Sequence, residues 1–291
     1  MIIGGFIIKV SDYINCIENN KYKMIYQSLD EEFKSKIKKR QLKKIILKYK
    51  GHSHELFNQL ELNDSIRYIY LSKDNNWGVA ITIHKSTTKI LGLLLLPLNK
   101  EQEQFFTDFN YFMPIDREWK VVWGGDTLIT NYHSNIPAQK YAYDLLIEKE
   151  NKTYLNDGTI NEDYFAFEQT IVAPRSGVIV DVRNSVKDNQ PGMMNENQVT
   201  GNYVIIRHGE QEYSLIAHFM HNSILVTPGQ SVKSGDILGK CGNSGHSSEP
   251  HIHFQVMNTP LLSEDCLSKK IKFENLKDPI IGDVVPGQSE Y

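Results

Sequence analysis

Residues 239–256 read Gly-Lys-Cys-Gly-Asn-Ser-Gly-His-Ser-Ser-Glu-Pro-His-Ile-His-Phe-Gln-Val, a glycine- and serine-rich loop running directly into two histidines separated by one β-branched residue. No other stretch constrains the chain as tightly. It predicts a strand fed by a loop, and side chains at i and i+2 of a strand share a face. His251 and His253 therefore project side by side into whatever cleft the loop borders. An imidazole pair placed this way suits metal binding and proton transfer.

The spacing needs company before it means chemistry, because His52-Ser53-His54 repeats it in a setting that predicts only surface polar residues at a helix boundary. The second pair has that company. Upstream lie Asn131-Tyr132-His133, Gln139-Lys140-Tyr141-Ala142-Tyr143-Asp144 and Tyr213-Ser214-Leu215-Ile216-Ala217-His218. Together these supply His133, Asp144, His218, His251 and His253, enough for three metal ligands and two groups that handle protons. An unpaired carboxylate at Asp144, within an apolar strand-like run, would be costly. A metal ion offsets that cost.

These blocks, with Trp123-Gly124-Gly125, Ala173-Pro174-Arg175-Ser176-Gly177-Val178-Ile179 and the run Gly201-Asn202-Tyr203-Val204-Ile205-Ile206-Arg207-His208-Gly209, resemble the M23 zinc metallopeptidases of the lysostaphin and LytM type. The resemblance spans roughly residues 115–285. It implies a zinc-dependent endopeptidase that hydrolyses cross-bridge or stem peptides of bacterial peptidoglycan with a metal-activated water. Carried over position by position, His133, Asp144 and His253 match the family's metal ligands, and His218 and His251 match its unligated catalytic histidines. One departure stands out. The commonest form of the family separates its first histidine from its aspartate by three residues, whereas residues 134–143 intervene here, so a short loop is expected to return the chain to the metal through the turn formers Asn135 and Pro137.

The chemistry also follows from the residue types. Two histidines and one aspartate leave the fourth position of a tetrahedral zinc open to water, whose pKa falls from about 15.7 towards about 7 in such sites. A histidine near its unperturbed pKa of about 6.5 moves protons at neutral pH; His251 is assigned as the base and His218 as the stabiliser of the oxyanion, with their order left open. Asn202, Tyr213, Asn243 and His246 are candidates for touching substrate. His84, His208 and His221 read as structural, His208 at a hairpin turn. Cys16, Cys241 and Cys266 imply neither a disulfide framework nor a cysteine-zinc site, and Cys241 reads as a buried small residue beside the cleft.

Two rival motifs fail on mechanism. The Gly-Asn-Ser-Gly loop lacks the Gly-Lys-Ser/Thr ending of a phosphate loop and leads into a strand, so no helix N-terminus faces an anion. Residues 173–182 and 226–239 also look like the flattened sandwich of biotinyl and lipoyl carrier domains, but the histidines that follow point to a shared core shape put to another use. A formal net charge of −3 gives no global pull towards nucleic acid. Residues 1–9, Met-Ile-Ile-Gly-Gly-Phe-Ile-Ile-Lys, are too short for a membrane span or a signal-peptide core. Composition alone suggests a cytoplasmic protein; the resemblance implies the cell envelope or secretion.

The expected architecture has two domains. Residues 1–97 read as α+β, with helices near Ile14 and Ile17 and over 30–50 packed on an antiparallel meander from strands at 65–71, 77–83 and 89–96. That order is similar to domains of the nuclear transport factor 2 type. Residues 98–112 read as a linker, and 113–291 as a mainly β domain, an antiparallel sheet or flattened sandwich of the lysostaphin-type peptidase kind. The lysine-rich helix around residues 34–50 reads as a solvated face. Residues 185–200, rich in Asn and Gln, read as a mobile loop that forms a wall of the substrate groove. The alternative function is a non-catalytic module of peptidase shape that binds wall peptides or regulates another hydrolase, separated from the first by chelator-sensitive release of amines from cell walls.

Overall fold

A computed structural model of the chain describes residues 9–49, 51–74, 76–98, 105–263 and 265–288. The expectations for residues 1–8, for Lys50 and for the polar connection at 99–104 lie outside them. Contacts divide the chain into two compact units, Met1–Gln102 and Glu103–Tyr291.

In the first unit the described residues form four helices, α1 (Val10–Glu18), α2 (Tyr22–Ser28), α3 (Glu31–Lys36) and α4 (Lys39–Leu47), followed by four strands, β1 (His54–Leu62), β2 (Ser65–Ser72), β3 (Trp77–His84) and β4 (Ile90–Pro97). The strands pair in sequence order as an antiparallel meander. Ile17, Ile25, Leu29, Leu42 and Ile46 from the helical segment bury against Tyr70, Val79 and Ile81 from the sheet. The single helix expected over 30–50 is two, because Ile37 is extended between α3 and α4. His52-Ser53-His54 leads into β1, a strand absent from the sequence reading; a bulge between Leu56 and Asn58 breaks the alternation that would reveal it.

The second unit is mainly antiparallel sheet. Its strands are β5 (Phe106–Tyr111), β6 (Trp119–Trp123), β7 (Tyr143–Leu146), β8 (Thr170–Val172), β9 (Gly177–Arg183) and β10 (Asn202–Gly209). There follow β11 (Glu212–Phe219), β12 (Ser231–Val232), β13 (Ile237–Lys240), β14 (Ile252–Met257), β15 (Ser268–Phe273) and β16 (Val284–Val285). The large sheet runs β12-β9-β10-β11-β14-β7-β6-β16, and β15 joins β14 to β5. At its centre β14 is buried along its whole length. Ile252, Phe254 and Val256 fill the apolar layer on one face, which leaves the opposite face to His253 and Gln255. Among the described residues no helix is long and apolar enough to cross a membrane.

Where a linker was expected, residues 106–111 form β5, paired in parallel with β15. A buried carboxylate fastens it. Glu212 at the start of β11 accepts from the backbone N–H groups of Asp108 and Phe109 at 2.7 and 3.1 Å, from the Tyr111 hydroxyl at 2.9 Å and from Lys269 Nζ at 3.0 Å. Lys269 is itself buried and bridges to Asp108. Breaking such a pair leaves an uncompensated charge and unsatisfied backbone donors, so Glu212→Ala is expected to destabilise the second unit by about 3–5 kcal/mol, read as a lower midpoint in urea unfolding. An unchanged midpoint would show that β5 is held by other contacts.

Candidate metal centre

The carboxylate and one imidazole are brought together by strand register. β14 pairs antiparallel with β7 so that His253 lies directly opposite Asp144, and with β11 so that His253 lies opposite Ala217. Directly opposed residues share a face, which puts His253 Nδ1 at 2.9 Å from Asp144 Oδ1. His133 arrives from a loop. Residues 134–143 form no long excursion, because two short 3₁₀ turns, Tyr132–Asn135 and Pro137–Gln139, fold the chain back to β7. Fully buried Asn131 clamps that loop: its Nδ2 donates to the carbonyls of Gly125 and Ala142 at 3.1 and 3.0 Å, and its Oδ1 accepts from His133 N at 3.1 Å. His133 Nε2 then sits 3.0 Å from Asp144 Oδ2.

The three residues are buried, and their potential ligand atoms all lie within 4.8 Å of one another, an arrangement able to hold a metal ion. Proton accounting supports a cation there. Gln255 Nε2 donates to Ala138 O at 2.8 Å, which fixes the amide so that its Oε1 faces His253 Nε2 at 2.9 Å. His253 Nε2 must therefore carry the hydrogen, and Nδ1 meets a carboxylate oxygen, an acceptor against an acceptor unless a second proton or a metal ion intervenes. His133 repeats the pattern, with Nδ1 at 2.8 Å from Gln139 Oε1. Burial alone would push the Asp144 carboxyl up, but the two imidazoles outweigh it and hold it well below the ordinary carboxylate range. Burial likewise opposes a second proton on His253, yet the Asp144 carboxylate raises its pKa. The pocket is built for positive charge.

His218 and His251 flank this trio, their ring centroids 4.7 Å apart and His218 6.1 Å from His253. His251 precedes β14 and faces the groove by the i, i+2 rule. His218 gets there differently. It follows Ala217, which already faces the site, so regular alternation would turn it to the far side. Instead Asn202 pairs with Phe219 and Tyr203 with Ala217, leaving His218 as the extra residue of a β-bulge with φ of +70°. A left-handed backbone at a non-glycine residue costs on the order of 1–3 kcal/mol. Here it aims an imidazole towards the candidate ligand His253. Both rings present the same nitrogen: His218 Nδ1 donates to Ser244 O at 2.8 Å and His251 Nδ1 to Glu249 O at 2.8 Å, leaving each Nε2 with a lone pair. Burial, then the neighbouring His251 and His253, push the His218 imidazole well below its ordinary value, so it rests neutral.

A groove of about 250 Å³ opens on the site, its lining including Trp123, Tyr132, Asp144, Met194, His246, Glu249 and His251. Met194 belongs to the stretch 185–200, which is tied down rather than loose. Asn189 Nδ2 donates to Gly245 O and Ser247 O at 2.7 and 2.9 Å, Gly192 N to Ser248 O at 2.7 Å, and Asn195 N to Gly245 O at 2.8 Å. Gly245 has φ of +85°, and a Cβ there would run into Gly201 N, so only glycine allows this approach.

The four residues expected to touch substrate divide. His246 is exposed on the groove. Asn202 is fully buried, its Oδ1 accepting from Val186 N at 2.8 Å and its Nδ2 donating to Val186 O and Phe219 O at 2.7 and 3.0 Å, so its amide braces the bulge and faces no groove. Asn243 is also fully buried, its Nδ2 donating to Asn161 Oδ1 at 3.0 Å. Tyr213 stands at the opposite end of β11 from His218 and packs on Ile205, Leu215, Met257 and Cys266. Among the other histidines, His208 is bound by Ser176 O and the Ser214 hydroxyl, and burial pushes it down to about 4. Cys241 is fully buried, and burial pushes its thiol well above the usual range, which suits packing rather than nucleophilic attack. Tyr132 was missed as a site residue. Its ring lies 3.9 Å from that of His133, and its hydroxyl donates to Asp144 Oδ2 at 3.3 Å.

Residues 162–264 match the family profile described as Peptidase family M23. The chain carries a domain of that family. His218, His251 and His253 lie within the matched residues, and His133 and Asp144 precede them. An uncharacterized metalloprotease of Buchnera aphidicola is 34% identical over 118 residues, covering 38% of this chain and 26% of that protein. Peptidoglycan DD-endopeptidase ShyA of Vibrio cholerae is 36% identical over 66 residues, 22% of this chain and 15% of that one. The chain thus spans about a quarter or less of the length of these relatives. Among solved structures, a zinc-containing peptidase from Vibrio cholerae aligns with TM-score 0.35 and 14% identity over 94% of this chain and 65% of that one. The catalytic domain of lysostaphin from Staphylococcus simulans aligns with TM-score 0.30 and 20% identity over 52% and 88%.

Gln255 orients the candidate ligand His253 from the side away from Asp144, so Gln255→Ala is expected to weaken metal binding by roughly 10–100-fold. Competition with a chromophoric chelator measures it. Unchanged affinity would mean that the strand alone sets the His253 ring.

Proposed function

We propose that the M23 domain is a zinc-dependent endopeptidase that hydrolyses peptide bonds of bacterial peptidoglycan, acting at the cell envelope or outside the cell. The observation that carries this reading is the meeting of His133, Asp144 and His253 around a place for a cation, beside two histidines whose Nε2 atoms are free to take protons. The relatives named for peptidoglycan DD-endopeptidase activity and the family match support the substrate class.

His133 Nε2, Asp144 and His253 Nδ1 are the groups suited to hold the ion. A zinc ion bound there would polarise the scissile carbonyl and bring the pKa of its water towards about 7. His251 Nε2, on the groove wall, is positioned to accept the water proton, and its Nδ1–H bond to Glu249 O keeps the ring in the tautomer that can. His218 holds the same tautomer. With the two rings 4.7 Å apart, positive charge on His251 disfavours a proton on His218. One proton shared by this pair can be taken from water, can stabilise developing negative charge as an imidazolium donor, and can pass to the leaving amine. Tyr132, whose hydroxyl is pushed up by burial and then by Asp144, stays protonated and adds a donor at the same edge.

The division of labour is tested by metal analysis and cell-wall digestion together. His253→Ala is expected to lose bound zinc, whereas His251→Ala keeps zinc and loses at least roughly 10²-fold in rate, the scale of a positioned acid or base. Equal zinc loss in both variants overturns the assignment. Purified chain that retains zinc yet releases no chelator-sensitive amines from cell walls points instead to a binding or regulatory module.

A further inference from the structure

The groove contains a carboxylate that the hydrolytic reading leaves unused. Glu249 lies on its wall beside Asp144 and His251. Its Oε2 accepts from the Thr153 hydroxyl at 2.9 Å, and among the described residues no lysine or arginine pairs with it. The two fully buried carboxylates of this unit described above have cationic or multi-donor partners: Asp144 has two imidazoles and Glu212 has Lys269 with two backbone amides. Glu249 has a neutral hydroxyl. Burial pushes its carboxyl up, the signature of a group short of positive charge.

Its placement is rigid. Ser248 O accepts from Gly192 N, Thr153 holds the carboxyl end, Pro250 follows with its fixed φ, and Glu249 O receives the His251 Nδ1–H bond. A carboxylate anchored two residues before the candidate base is therefore at a set place relative to the reacting bond. Trp123 and Tyr132 line the same groove, and aromatic faces add attraction for a cation in a partly desolvated cleft.

We propose that Glu249 forms a subsite for a protonated primary amine carried by the peptide substrate close to the bond that is cut. The proposal rests on the endopeptidase reading for its substrate and adds what that reading does not specify, a positive charge on the peptide. An ammonium bound there gives Glu249 its missing counter-charge through a charge-assisted hydrogen bond. Two kinds of amine offer this chemistry, the side-chain amine of a diamino acid in a stem peptide and the free α-amino end of a peptide strand.

Three synthetic stem-type peptides test it on the zinc-loaded full chain: one with only a lysine side-chain amine free, one with only the α-amine free, and one with both acetylated. Affinity is read from tryptophan fluorescence immediately after mixing, and cleavage is read separately by mass analysis. One of the free-amine peptides is expected to bind at least roughly tenfold more tightly than the acetylated one, the scale of a hydrogen bond to a charged group. Glu249→Gln, nearly isosteric, is expected to bring that ratio below about twofold, with its unfolding midpoint checked against the parent chain. Which amine is preferred identifies the source. Equal affinities in the parent chain, no detectable binding of any peptide, or a preference that survives Glu249→Gln overturns the proposal. Because the peptide comparison in the parent chain needs no variant, a poorly folding Glu249→Gln does not spare it. Cleavage without an amine preference sinks this subsite and keeps the hydrolase; preference without cleavage does the reverse.

Discussion

The structure of the site depends on one buried carboxylate placed between two imidazoles. Asp144 is shared by His133 and His253 at hydrogen-bonding distance on both sides, in a setting where an isolated anion would be driven to neutralise. The arrangement is stable only with net positive charge beside it, from imidazolium protons or from a metal ion. The outer nitrogens are each taken by a glutamine oxygen. Those two amides convert a generic cluster of polar residues into one with a defined direction, since they decide which edge of each ring turns inward.

Around that centre the sheet supplies register and the irregularities supply aim. Pairing of β7, β14 and β11 sets Asp144, His253 and Ala217 in one row. A regular sheet could not add His218 to the same side as Ala217. The bulge does so at the expense of a strained backbone, and buried Asn202 stabilises it by holding Phe219 O, the carbonyl just beyond the bulged residue. The small Ala217 side chain fits the same logic, since a bulky residue opposite His253 would occupy the space the histidines share.

Much of this was legible in the sequence where the signal was local. The side-by-side placement of His251 and His253 follows from one i, i+2 spacing, and a returning loop between His133 and Asp144 follows from Asn135 and Pro137. What was not legible depends on contacts far apart in the chain. Asn202 and Asn243 look like ligand-binding amides by type, and only burial reveals that Asn202 serves the backbone and that Asn243 is turned to Asn161. Tyr213 shares a strand with His218, but distance along that strand separates it from the groove. The bulge at His218 has no glycine to announce it. In the same way β5 hides in a polar connection because its principal anchor, Glu212, lies about a hundred positions downstream, and β1 hides because its bulge scrambles the alternation.

The wall formed by residues 185–200 is joined to the loop 243–248 chiefly by main-chain carbonyls and amides, with Asn189 as the side chain that stitches the two together. Contacts of that kind are indifferent to most side-chain identities. Outward-facing positions such as Met193 and Met194 can consequently diverge without disturbing the contour they ride on, so the rim of the cleft is free to be retuned by point changes while the machinery beneath it stays fixed.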